Sequence, residues 1–184
     1  MAAHPDVVDL YSFSDVAELV DLPESTVKNW TFGRPLCIVP SIFSGGGKGS
    51  RSLYSLYDVW RFAIAKQLVE DGFAPAKLQE VVDQLTDDHM RRCVALEGTY
   101  RAMVVLRHMD TPDLLSVEYL PGLPDRSYFG RLYKRGVTGV YILDLELVVA
   151  GVDVRDAELQ KRRQRRSKRI KLQRSLDKRS KKGD

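Results

Sequence analysis

Ser25, Thr26, Lys28 and Asn29 lie together in the stretch ESTVKNWTF and supply two short hydroxyls, one cation and one amide. Side chains of these types donate to phosphate oxygens and read the polar edges of bases. A second group stands in GGGKGSR, where Lys48, Ser50 and Arg51 are interleaved with glycine. Glycine lets a backbone approach another molecule closely, and the two cations are spaced to meet phosphate. This is not a nucleotide-cradling loop, which needs a glycine six residues before the lysine, where Ile42 stands. A third group, Arg162, Arg163, Arg165, Arg166, Lys168 and Arg169, crowds cations into KRRQRRSKR.

Chemistry of other kinds finds little support. No serine-histidine-acid set, paired cysteine-histidine or metal-binding helix motif stands out, and Glu97, Asp110, Asp113, Glu118 and Asp144 follow no recognisable spacing. Cys37 and Cys93 lie far apart and His4, His89 and His108 are scattered, so both cysteines are expected to be small buried hydrophobes. Neither a catalytic residue, a metal nor a cofactor is expected, and the chain is read as a binding protein rather than an enzyme.

The elements that must position these groups are written in capping and periodicity. Ser12 with Asp15 forms a capping box for a first helix whose apolar face is Val16, Ala17, Leu19 and Val20. A second helix starts near Pro23 and turns Val27 and Trp30 inward, leaving Ser25, Thr26, Lys28 and Asn29 on the other side. Ser55 with Asp58 opens a third helix, through Val59, Phe62, Ala63 and Leu68, that Gly72 stops. Pro75 opens a fourth, with Leu78, Val81, Val82 and Leu85 as its stripe.

Beyond His89 the period shortens. Val94 and Leu96, then Tyr100 to Leu106, alternate around Gly98 and Thr99 as a hairpin would. Leu115 to Leu120 and Val137 to Leu143 read as further strands, Pro121 to Gly136 as irregular chain, and Leu145 to Ala150 as a short helix. In the tail Leu159, Ile170, Leu172 and Leu176 are too sparse for a buried stripe, so it is expected to be disordered or only partly helical alone.

Charge follows the same division. Residues 155–184 hold fourteen Lys and Arg against four Asp and Glu, residues 24–66 six against two, and residues 1–23 five acids and no base. Basic contact elements on an acidic body suit docking to a polyanion.

The opening YSFSDVAELVDLPESTVKNW, the segment LYSLYDVWRFAIAKQLVEDGF and the following APAKLQEVVDQL resemble the N-terminal winged-helix domain of the MerR family of transcription regulators. Tyr54, Ser55, Asp58, Ile64, Leu68, Gly72, Phe73, Leu78 and Val81 fall at the family's places. The departures are Asp21 where the family usually has glycine at the helix corner, Lys28 for an arginine, and Ser52 for the arginine two residues before the wing tyrosine.

The resulting expectation is an α+β protein. It comprises a winged helix-turn-helix domain over 1–88, mostly α with a β wing, a small α+β dimerisation or effector domain over 89–154, and a basic tail over 155–184. Ser25, Thr26, Lys28, Asn29, Arg34, Lys48, Ser50, Arg51, Tyr54 and the tail cations are the expected DNA contacts. The expected partners are double-stranded DNA and a second copy or higher homo-oligomer, with RNA as a further ligand of the tail. The resemblance implies transcription regulation; the alternative is a partition, packaging or nucleoid factor. No run is long enough for a membrane span or patterned as a signal peptide, so a cytoplasmic protein is expected, at the nucleoid in a prokaryote.

Overall fold

A computed structural model describes residues 10–34, 36–42, 52–94, 100–111 and 114–180, the side chains of 93, 94 and 172–180 excepted. The described residues form an α+β structure of seven helices and a three-stranded antiparallel sheet. One compact unit ends at Val152 and a second begins at Asp153.

The first helix, α1 (Phe13–Val20), is opened by both arms of its capping box: Asp15 N–H donates to Ser12 Oγ at 3.3 Å and Ser12 N–H to the Asp15 carboxylate at 2.8 Å. It closes on Asp21 at φ 55°, ψ 54°, the one non-glycine residue with positive φ among those described. A short polar side chain tolerates this left-handed geometry, and glycine adopts it without penalty.

Helix α2 (Glu24–Phe32) follows, then α3 (Leu56–Glu70), α4 (Pro75–Asp83) and α5 (Asp87–Val94). Helix α1 packs on both α2 and α3, and α3 on α4 and α5. In α3, Val59, Phe62, Ala63, Ile64, Ala65 and Leu68 are buried, and the helix gives way to Gly72 at φ 93°. Leu78, Val81, Val82 and Leu85 are buried along α4 and its exit.

The sheet has the order β2-β1-β3. Strand β1 (Ala102–His108) pairs antiparallel with β2 (Leu115–Leu120) and β3 (Val137–Asp144), with Val105 opposite both Val117 and Tyr141. One face, with Val104 and Leu106, is covered by Tyr128 and Leu132 of α6 (Arg126–Lys134). The opposite face meets the helices: the Tyr141 ring packs edge-on to Phe73 at 5.0 Å, and Tyr119 stacks on His89 at 4.5 Å. The last helix, α7 (Leu145–Ser180), begins directly at the end of β3.

Three expectations are corrected. Val94, expected in the first strand of a hairpin, lies in α5 instead, and β1 finds its partners in β2 and β3; Leu96, Gly98 and Thr99 lie outside the described residues. As central strand β1 is buried at every residue from Ala102 to Leu106, so its sequence carries no alternation to fix a register. Pro121 to Gly136 is not irregular throughout: the Asp125 carboxylate accepts from Tyr128 N–H at 2.9 Å and caps α6. The short helix placed at Leu145 to Ala150 is the start of a helix reaching Ser180. No helix of the described residues is long and apolar enough to cross a membrane.

Candidate nucleic-acid interface

Helix α2 presents one face and anchors the other. Val27 is fully buried and Thr31 nearly so, while Ser25, Lys28 and Asn29 are exposed, Thr26 and Trp30 half-buried, and Arg34 exposed just beyond the helix. Thr31 Oγ1 donates to the Val27 carbonyl at 2.8 Å and lies 2.7 Å from the Tyr54 hydroxyl. A threonine hydroxyl has one proton, so Tyr54 is the donor in that second bond.

Tyr54 thereby corrects an expectation: it is a buried anchor, not a DNA contact. Its ring is fully enclosed, edge-on to Phe13 at 5.4 Å and to Phe62 at 5.8 Å. Burial pushes its hydroxyl up to about 12, with a smaller push from Asp58. Its backbone pairs with Tyr11 through bonds of 2.9 and 3.0 Å, which fixes the chain entering α1 against the chain entering α3.

The glycine-rich segment is reached through a second bridge. Ile42 and Leu53 pair antiparallel, so the two ends of the segment are held side by side. Lys48, Ser50 and Arg51 themselves lie outside the described residues. What holds the entering end is Asp58. Its carboxylate accepts from Ser41 N–H at 3.0 Å, Ser41 Oγ at 2.6 Å and Ser55 N–H at 2.9 Å, and bonds Arg61 Nη1 at 2.8 Å. Arg61 continues to the Leu85 carbonyl at 2.6 Å and to Asp87. A fully buried carboxylate is tolerable because each bond is charge-assisted and a guanidinium compensates it. The sequence signals only the capping half of Asp58; the bond to Ser41, seventeen residues away, leaves no local signal.

Lys28 is oriented from two sides. Its ammonium lies 2.8 Å from Glu24 and 5.7 Å from the Phe13 ring centroid. An exposed pair of this kind contributes about 0.3–0.5 kcal/mol, little enough for a phosphate to displace Glu24. The cleft lined by Ser41, Arg61, Asp83, Asp87 and Asp88 has the opposite character, with three carboxylates to one guanidinium, and repels a polyanion.

In the second unit Arg162, Arg165, Arg166, Lys168 and Arg169 are exposed along α7, and Arg163 is half-buried. At about 1.5 Å rise per residue, Arg162 to Arg169 place their cations over roughly two turns. Cys37 is half-buried rather than core, with its thiol 3.3 Å from the Thr31 carbonyl. The described residues contain no cluster of His, Cys, Asp and Glu placed to hold a metal ion.

No protein-family model matches the chain. A 75-residue stretch is 36% identical to malformin synthetase mlfA of Aspergillus sclerotiicarbonarius, an alignment covering 39% of this chain and 1% of the length of that protein. A match to one hundredth of a large protein bears on neither its activity nor this chain's.

Proposed function

We propose that the protein binds double-stranded DNA through a winged helix-turn-helix and regulates transcription. Helix α2 enters the major groove, where Lys28 and Asn29 reach base edges and Ser25 and Thr26 reach phosphates. Lys48, Ser50 and Arg51 of the wing, with Arg34, meet the backbone, and the tail cations add affinity without selecting sequence. The protein acts as a homodimer, which doubles the site read.

The observation that carries this reading is the split of α2. Its hydroxyl, amide and ammonium groups are on the free side, and its opposite side is locked by Val27, Thr31 and Tyr54. The left-handed corner at Asp21, where the resembled family has glycine, and the Ile42–Leu53 bridge at the root of the basic loop support it further.

Selection of bound fragments from a genomic library tests it. Recovery of a narrow motif is the expected result. Broad recovery of duplex fragments would replace regulation with an assembly or packaging role, and preference for RNA would overturn both.

A further inference from the structure

The two edges of the sheet are finished differently. On β2 the outward groups are taken by the chain itself: Leu115 N–H donates to Glu80 at 2.9 Å, Val117 N–H to Gln84 Oε1 at 3.1 Å, and Gln84 Nε2 to the Leu115 carbonyl at 3.3 Å. A side chain of α4 and that of its C-cap residue Gln84 thus replace a neighbouring strand.

On β3 nothing among the described residues does this. Leu145 N–H donates to the Arg101 carbonyl, so by alternation Gly139, Tyr141 and Leu143 face β1, opposite Arg107, Val105 and Met103. Thr138, Val140 and Ile142 then turn their N–H and C=O groups outward. Open edges are usually defended by charge or proline, yet Val137 to Leu143 (VTGVYIL) contains neither. Val140 is 39% exposed.

We propose that this edge is the interface with a second copy of the chain, β3 pairing antiparallel with β3 of the partner about a two-fold axis at Val140. Thr138, Val140 and Ile142 are symmetric about their middle residue, so Val140 meets its own counterpart and Thr138 meets Ile142 in both directions. Every outward donor then finds an acceptor, and a three-stranded sheet becomes a continuous six-stranded one.

Charge selects the same occupant and direction. The strand is entered from Lys134 and Arg135 and left through Asp144 and Glu146, so antiparallel self-pairing sets a basic end beside an acidic one, and parallel pairing would set like beside like. Arg135 already bonds Glu118 at 2.6 Å and Arg101 lies 3.3 Å from Glu146, so exposed Lys134 is the contributor without an ion pair among the described residues. The inference deepens the homodimer of the proposed function but does not depend on DNA.

Directly opposed residues of such a hydrogen-bonded pair have Cα atoms about 5.5 Å apart, within disulfide reach, whereas Thr138 would lie roughly 14 Å from its own counterpart. In a chain carrying Cys37→Ser and Cys93→Ser, Val140→Cys should crosslink to a dimer on mild oxidation and Thr138→Cys should not. The unmodified 20.9 kDa chain, in sedimentation without nucleic acid, should approach twice its mass as concentration rises. Val140→Lys, at an exposed position, should weaken that association at least tenfold with unchanged circular dichroism. A monomer at all concentrations, association indifferent to Val140→Lys, or crosslinking at Thr138→Cys alone overturns the proposal. Loss of duplex binding with the β3 dimer intact would remove the DNA reading and leave this one standing.

Discussion

Helix α2 and the tail half of α7 both carry cations, but they hold them by opposite means. On α2 a lysine and an asparagine are backed by buried Val27 and Thr31, a tyrosine hydroxyl and a ring cluster that leave little freedom. On α7 from Lys161 onward the described side chains are exposed apart from half-buried Arg163, and like charges recur at i to i+4, as in Arg162 with Arg166 and Arg165 with Arg169. Reading bases requires fixed geometry; attracting a polyanion requires only density of charge. Under the proposed function, the difference would place selectivity in the first region and sequence-independent affinity in the second.

The sharpest way to break the rigid region is Asp58→Ala. Removing a buried carboxylate that holds Ser41, Ser55 and Arg61 should cost about 3–5 kcal/mol, read as a lowered urea midpoint. A loss under about 1 kcal/mol would mean that Asp58 does not anchor the root of the loop. Next in size, Lys28→Ala with Asn29→Ala should weaken specific duplex binding by about 1–3 kcal/mol and leave the thermal midpoint in place. Unchanged affinity and unchanged site preference in a titration would remove α2 from the interface.

Tyr54→Phe is smaller. It deletes one neutral hydrogen bond, for about 0.5–1.5 kcal/mol of stability, and should leave DNA affinity alone because the ring is buried. The same variant carries a pH signature. The hydroxyl is raised in the folded state from 10.0 to about 12, so its contribution is complete below pH 10 and is lost as pH climbs towards 12. Tyr128 and Tyr141 are raised too, both chiefly by burial and then by Glu118 and Asp71 respectively, so the variant should lessen the alkaline loss without abolishing it. The smallest effect on stability belongs to removal of residues 160–184. The thermal midpoint should stay nearly constant, while affinity for every duplex falls in equal proportion and its salt dependence flattens. An unfolded truncation would make the tail a structural element.

Much of the helical scaffold was legible because its signals are local. The boxes at Ser12 and Ser55, the stop at Gly72 and the proline at Pro75 each act within a few residues. Helix α5 was missed because Met90 is its one described residue in the core, which makes no stripe. Helix α6 could have been found from Asp125 followed by Tyr128 and Leu132, a cap with an i to i+4 buried pair. Strand pairing was not legible, since β2 and α6 lie between β1 and β3 in the chain and no single tight turn joins the two strands to set their register. Among the candidate contacts, Ser25, Lys28, Asn29 and Arg34 are on the surface as their types imply, whereas Tyr54, expected as a contact at the end of the 45–54 wing, is core.

The sealing of β2 by Glu80 and Gln84 also bears on how fast single protons leave the protein. Edge amides of a small sheet ordinarily exchange with solvent almost freely, but those of Leu115 and Val117 are bonded to Glu80 of α4 and to Gln84 at its C-cap. Their exchange therefore reports the departure of α4 from the sheet rather than the fraying of a strand. Gln84→Ala should release the Val117 amide and leave that of Leu115 slow, a one-residue reading of whether the helix and the sheet open together or apart.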